Sequence, residues 1–366
     1  MADERSPLES EIRRLIVAAG PMPVGDYMRL CLTHPQHGYY LTSDPIGTSG
    51  DFITAPEISQ MFGELIGVWM ASVWKQMGAP ENVRIVELGP GRGTMMVDAL
   101  RAAKVARDFH AAIVLHLVEI SPILQRQQQE RMETLGLPVL WHATLDDVPG
   151  GPSIVVANEF FDALPVHQAV KRADGWHERV IEINPSGDLV FGVANEPLAH
   201  FGTTLPRGLR QSPDGSIYEW RSDRVVLELG RRVRTDGAAL IVDYGHAWYG
   251  LGETLQAVAD HKHADPLRSP GCIDLTAHVD FRGLAVSAET IGARIHGPVS
   301  QRDFLRRLGI EKRAAALKTR VAPEKEAEID SALSRLTATG TGGMGELFKV
   351  LAISDARLGQ LPGFQP

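Results

Sequence analysis

Cysteine is almost missing from this chain: Cys31 and Cys272 are the two among 366 residues. They stand far apart, so neither a disulfide framework nor a zinc ribbon can be written, and a reducing compartment is the natural reading. Long apolar runs are missing too. The most apolar stretch, residues 61–77, contains Glu64 and Lys75 and is shorter than the ~20 apolar residues of a membrane span. Its Phe62, Leu65, Ile66, Trp69, Val73 and Met77 recur at helical spacing, which predicts a buried amphipathic helix. Positive charge is in deficit, with 37 Lys and Arg against 45 Asp and Glu and a net charge of −8. That balance excludes a protein that grips long nucleic acid and suits a small or cationic ligand. The opening MADERSPLESEIRR has no apolar core, and its early acids do not spell a secretory or mitochondrial leader.

What is present is globular texture, with 44% hydrophobic and 22% charged residues. Length alone suggests two domains at about 150 residues each. Residues 8–19 and 24–33 read as helices, and a turn-rich passage follows to residue 56. Thr54, Pro56 and Glu57 read as the entrance to the helix at 61–77. From residue 83 the texture becomes strand and helix in alternation. Strands are expected at 83–88, 113–118, 139–141 and 153–157, with a helix at 94–106 and another opening after Ser121. Apolar strands without alternation, separated by helices, predict an α/β fold with a doubly wound parallel sheet. Residues 166–197 read as antiparallel strands, 217–233 as a helix and 238–242 as a strand. Residues 246–280 read as irregular, 281–292 and 301–337 as helical, and 347–354 as a last strand.

The chemistry concentrates at strand ends. Glu87-Leu88-Gly89-Pro90-Gly91-Arg92-Gly93-Thr94 closes the first strand and opens a helix. Glycines there let a ligand approach the backbone, and the helix start offers free N–H donors. A dinucleotide fingerprint needs a third glycine where Thr94 stands, and a P-loop needs a lysine. The remaining spelling is the one typical of S-adenosylmethionine (SAM) methyltransferases, whose ligand has no pyrophosphate, so Glu87 is free to face its ammonium group. Glu119 ends the second strand, where a carboxylate receives a ribose diol. Trp141, Thr144 and Leu145 follow the third, where an adenine contact is expected; Trp141 reads equally as core. The fourth runs into Asn158, Glu159 and Asp162. If that segment is helical, Glu159 and Asp162 share a face and form an acidic clamp for a cationic acceptor. Asp243 follows the fifth strand. His261, His263, His278 and Asp280 lie in loop-like sequence without the ordered surroundings a metal needs, so no metal is assigned.

Six blocks then resemble one family: 50–64 (GDFITAPEISQMFGE), 86–95 (VELGPGRGTM), 157–166 (ANEFFDALPV), 242–245 (VDYG), 274–281 (DLTAHVDF) and 345–351 (GELFKVL). They resemble the MidA-like family of SAM-dependent methyltransferases, which includes a mitochondrial complex I assembly factor. The resemblance implies a class I, Rossmann-like methyltransferase fold. It divides the chain into an N-terminal helical, cofactor-covering segment at 1–82 and a methyltransferase domain at 83–366, with insertions near 166–235 and 246–337. It also implies SAM as cofactor, cradled by Gly89, Gly91 and Gly93 with Glu119 on the ribose and Gly50 and Thr54 in a covering block. Asn158 and Glu159 then lie beside the transferring methyl. The implied activity is arginine N-methylation of a protein, with a respiratory complex I subunit as the acceptor partner. The missing leader sequence fits a cytoplasmic bacterial relative. A small-molecule methyltransferase and a SAM-binding assembly chaperone without transfer are the alternatives.

Overall fold

The structure is a computed structural model that describes residues 6–42, 54–259, 262–340 and 343–365. Ser6 caps the first helix, α1 (Pro7–Ala19), by accepting the Glu9 N–H at 3.0 Å. A two-residue bridge, β1 (Met22–Pro23), leads to α2 (Val24–Thr33) and the single turn α3 (Tyr39–Thr42). The single turn α4 (Ala55–Ile58) is not the entrance of the long helix α5 (Gln60–Gln76), as the sequence suggests. Ser59 lies extended between them, and its hydroxyl caps α5.

Strand β2 (Val83–Leu88) follows, then α6 (Thr94–Ala103) and α7 (Arg107–Ala112), two helices where one over 94–106 is expected. Next come β3 (Ile113–Val118), α8 (Pro122–Met132), β4 (Val139–His142) and β5 (Ser153–Asn158). Three antiparallel strands β6 (Val166–Arg172), β7 (Gly175–Ile183) and β8 (Leu189–Pro197) precede the turn α9 (Phe201–Thr204). The helix expected over 217–233 is instead strand β9 (Ile217–Arg221) and helix α10 (Arg224–Val233). Then follows β10 (Gly237–His246). The passage read as irregular holds β11 (Gln256–Ala259), β12 (Lys262–Ala264), β13 (Asp274–Thr276) and β14 (Val279–Asp280). The remainder is α11 (Phe281–Glu289), β15 (Arg294–Ser300), α12 (Gln301–Leu308), α13 (Ile310–Lys318), α14 (Pro323–Thr337), α15 (Met344–Leu347) and β16 (Phe348–Ser354).

These elements sort into two units. One takes Met1–Pro45, Asp162–Ser222 and Trp248–His278. It carries a sheet in the order β1-β7-β6-β9, with β8 on β7, and a three-stranded sheet β12-β11-β13. Leu8, Ile12, Tyr27, Met28, Leu32, Val166 and Ile181 form its core.

The other unit takes Ile46–Phe161, Asp223–Ala247 and Val279–Pro366. Its sheet runs β15-β16-β10-β5-β2-β3-β4, and β14 pairs with the end of β10. The strands β10, β5, β2, β3 and β4 are parallel, whereas β16 is antiparallel to both its neighbours. Buried apolar strands and the faces of α5, α6 and α12 make the core, with Phe62, Trp69, Ile85, Leu115, Val156, Leu240 and Phe304 at its centre. From β2 the chain steps outward to β3 and β4, then returns to β5 on the other side. The β2/β5 boundary is therefore the switch point, where open α/β sheets bind ligands beyond their strand ends. Among the described residues no helix is long and apolar enough to cross a membrane.

Candidate active site

The loop after β2 is a left-handed glycine turn. Gly89, Gly91 and Gly93 have φ of 59°, 55° and 79°, a region that residues with a Cβ enter at a cost. A Cβ on Gly89 would stand 2.9 Å from the Phe160 ring, so the turn is also a close approach. The Gly89 N–H donates to the Val118 carbonyl at 3.0 Å, which ties the turn to the neighbouring strand end.

Two carboxylates lie below this turn. Glu87 is 3% exposed, and its Oε2 makes no hydrogen bond among the described residues. Burial first, and then the charge of Glu119, push the Glu87 carboxyl well above its ordinary value. Glu119 is 7% exposed; its Oε1 accepts the Ser121 N–H at 2.8 Å and its Oε2 accepts Gln128 Nε2 at 3.1 Å. Burial raises its pKa, and those two donors pull back against the shift. Gln128 organises the group. Its Nε2 also donates to the Gly91 carbonyl at 2.6 Å, and its Oε1 accepts Trp141 Nε1 at 2.9 Å. Thus one buried side chain of α8 joins the glycine turn, the second strand tip and the third strand. Nothing in the glutamine-rich run around Gln128 marks it in the sequence.

On the other side of the switch point, β5 ends at Asn158. Glu159 is not helical; it has φ 49°, and its N–H donates to the Val242 carbonyl of β10 at 2.9 Å. The segment turns here, so Glu159 and Asp162 do not share a helical face. The Glu159 Oε1 accepts the Ala55 N–H at 3.2 Å and Asn158 Nδ2 at 3.4 Å. Asn158 Oδ1 is buried without a partner among the described residues. Buried Asp243 accepts the N–H groups of Phe161 at 3.0 Å and Tyr244 at 2.9 Å, fixing the turn from below.

Other expected residues fall elsewhere. Asp162 is buried and opens a segment of the first unit, where its carbonyl accepts the Ala277 N–H at 3.1 Å. Thr144 is exposed and caps the short turn at Leu145–Asp147 through a reciprocal bond with Asp147. Leu145 is buried, and its carbonyl accepts Arg232 Nη2 at 3.1 Å. Thr54 precedes α4 without capping it by its side chain. Gly50 and His261 lie outside the described residues. Among the described residues no group of three His, Cys, Asp or Glu is placed to hold a metal.

A buried, unsatisfied carboxylate beside a glycine cradle fits a ligand that brings a cation, because an unmet buried acceptor costs about 1–3 kcal/mol. The amino-acid end of SAM carries such an ammonium, and Glu119 at the second strand tip suits a diol. The fold and site are therefore those of a class I, SAM-binding α/β protein. The chain belongs to the family described as "Putative S-adenosyl-L-methionine-dependent methyltransferase", whose pattern matches residues 65–299. It is a SAM-dependent methyltransferase of that family. It is 40% identical to the Drosophila melanogaster "Protein arginine methyltransferase NDUFAF7 homolog, mitochondrial", covering 94% of this chain and 84% of that protein. It is 37% identical to the human protein arginine methyltransferase NDUFAF7, covering 85% and 75%. A crystal structure from Burkholderia thailandensis with bound S-adenosyl-homocysteine superposes with a TM-score of 0.85 at 29% identity, over 98% of this chain and 94% of that one.

Proposed function

We propose that the protein methylates a guanidinium nitrogen of arginine in a protein acceptor. The observation that carries this reading is Glu159, a carboxylate at the end of β5 held in a left-handed conformation beside the switch point. Keeping a non-glycine residue there costs roughly 1–2 kcal/mol, a strain that fixed function explains better than folding does. The relatives named as protein arginine methyltransferases support the acceptor type.

Bound SAM supplies a sulfonium methyl already activated for displacement. The chain has then to hold a nucleophile in line with it, and such alignment is worth about 7–11 kcal/mol. A guanidinium keeps its proton in water at any physiological pH. Glu159 receives paired N–H bonds from it and turns one nitrogen toward the methyl. The N–C bond forms as the S–C bond breaks, and the nitrogen sheds its proton as its acidity rises. Asp243 holds the Phe161 and Tyr244 amides and so keeps the turn after Glu159 in place. Asp243, in the same unit as Glu159, is the candidate to pass the proton on. A respiratory complex I subunit is the acceptor that the family resemblance suggests, and a reducing compartment, bacterial cytoplasm or mitochondrial matrix, suits two free thiols.

Tritiated SAM with cell extract tests this. Label is expected on protein and, after acid hydrolysis, on methylarginine. Glu159→Asn, which tolerates the left-handed backbone, lowers transfer on the order of 10²-fold. It leaves the S-adenosyl-homocysteine Kd within about threefold. Label confined to metabolites, or bound cofactor and a stable partner with no label anywhere, overturns the reading. Full activity in Glu159→Asn removes Glu159 from the acceptor site.

A further inference from the structure

Residues 54–57 spell T-x-x-E, the pattern in which a first-turn glutamate and a capping threonine satisfy each other's backbone donors. Neither does so here. The Thr54 side chain caps nothing, and the Glu57 side chain, together with the Ala55 N–H at the first helical position, reaches across the second unit instead. The Ala55 N–H donates to Glu159 Oε1 at 3.2 Å. The Glu57 Oε1 accepts the hydroxyl of Thr94 at 2.6 Å. Thr94 is the first residue of α6, directly after the glycine turn, and its oxygen also accepts Arg131 Nη1 of α8. The short helix α4 is thereby tied at one end to the glycine turn and at the other to the carboxylate beyond β5.

We propose that Glu57 and Thr94 are positioning residues that hold Glu159 in place through the Ala55 N–H. The proposal rests on the acceptor role given to Glu159 above. A carboxylate on a left-handed residue has no regular secondary structure to fix it, so its direction depends on its donors. Asn158 supplies one of them at 3.4 Å, at the long end of the range, and Ala55 supplies a shorter one at 3.2 Å. Ala55 belongs to a four-residue helix, too short to hold itself; its methyl is buried in the core, and the Glu57–Thr94 bond ties the same turn to α6 and so sets the direction of that N–H. The link also explains the threonine at a position where a dinucleotide fold would carry glycine: the hydroxyl accepts from Arg131 and donates to Glu57.

The test is a double-mutant cycle on the full-length protein with an arginine-bearing protein acceptor. Thr94→Val keeps shape and removes the hydroxyl; Thr94→Ser restores it. Thr94→Val lowers kcat about tenfold, a shift of about 1.4 kcal/mol. The S-adenosyl-homocysteine Kd stays within about threefold, and Thr94→Ser recovers kcat to within about twofold. Glu57→Ala gives the same split, and combining it with Thr94→Val adds nothing further. In a Glu159→Asn background Thr94→Val has no additional effect, because the residue it positions is gone. Losses that multiply with Glu159→Asn, or a kcat that falls only in step with cofactor Kd or folded fraction, overturn the link. If Glu159→Asn is itself fully active, the acceptor reading fails first, and that outcome is separate from an inactive Glu159→Asn with unaffected Thr94→Val and Glu57→Ala.

Discussion

Glu87 and Glu119 show how much a single buried charge decides. Both carboxyls sit above their ordinary values, Glu87 through burial and then the charge of Glu119, and Glu119 through burial. Each therefore binds its proton more readily in the folded chain than in the unfolded one. The stability this gives is complete below the unfolded pKa and is lost as pH rises through the raised folded pKa. Without ligand, denaturation measured from about pH 4.5 to 7.5 should show Glu87→Gln gaining stability over the wild type as pH rises. A ligand ammonium reverses the preference by favouring the charged carboxylate, so binding should expel a proton. Calorimetry of S-adenosyl-homocysteine binding in buffers of different ionisation enthalpy counts that proton. Glu87→Gln should release fewer, and an equal count would remove Glu87 from the ammonium site. These residues were legible because a carboxylate at the tip of an apolar strand stands out. Gln128 was not, since a glutamine among glutamines carries no periodic or charge signal, yet it is fully buried and bonded on three sides.

Helix α6 carries the glycine turn at its start, so its seat against α5 sets the position of the turn. Two glycines on α5 make that seat close. A Cβ on Gly67 would fall 2.2 Å from the Ala99 carbonyl oxygen, and one on Gly63 would fall 2.8 Å from that of Met95. Gly67→Ala gains about 1 kcal/mol in helix propensity. Against that, backbone cannot yield as a side-chain tip can, and forced overpacking costs about 1–3 kcal/mol. The net expectation is a less stable protein in urea and weaker S-adenosyl-homocysteine binding, since α6 must move. Unchanged affinity would show that the turn is seated by Gln128 alone. At this scale the sequence spoke clearly wherever strands were long, buried and uniformly apolar, as at β2, β3, β5 and β10. Shorter or irregular elements were hidden. Strands β11, β12 and β13 have 4, 3 and 3 residues, too few for alternation to register. Strand β15 has a register shift between His296 and Val299, which breaks the two-residue period. In β9, Trp220 stands six residues before Val226, out of helical register with the apolar face of α10, so the helical period belongs to α10 alone.

At the scale of the whole molecule, the residues expected to hold the cofactor lie in one unit. The glycine turn, Glu87, Glu119, Gln128, α4 and Glu159 all belong to the unit built on the mixed eight-stranded sheet. Each unit has its own apolar core, one around Phe62, Trp69 and Leu240 and the other around Tyr27, Met28 and Val166. Ligand binding stabilises what it touches by mass action, about 2.7 kcal/mol at a hundredfold excess over Kd. That free energy is read locally by amide exchange, because regions open independently of one another. Adding S-adenosyl-homocysteine should therefore slow exchange at residues 88–94, at 119–121, in α4 and at 158–161. Exchange in β6, β7 and β8 should stay within error of the free protein. Protection rising equally in those strands would contradict this and place cofactor contacts in the first unit. If protection instead appears at 88–94 and 119–121 but not in α4 or at Glu159, the cofactor half of the site forms without the acceptor carboxylate, and the tie through Thr94 does not transmit.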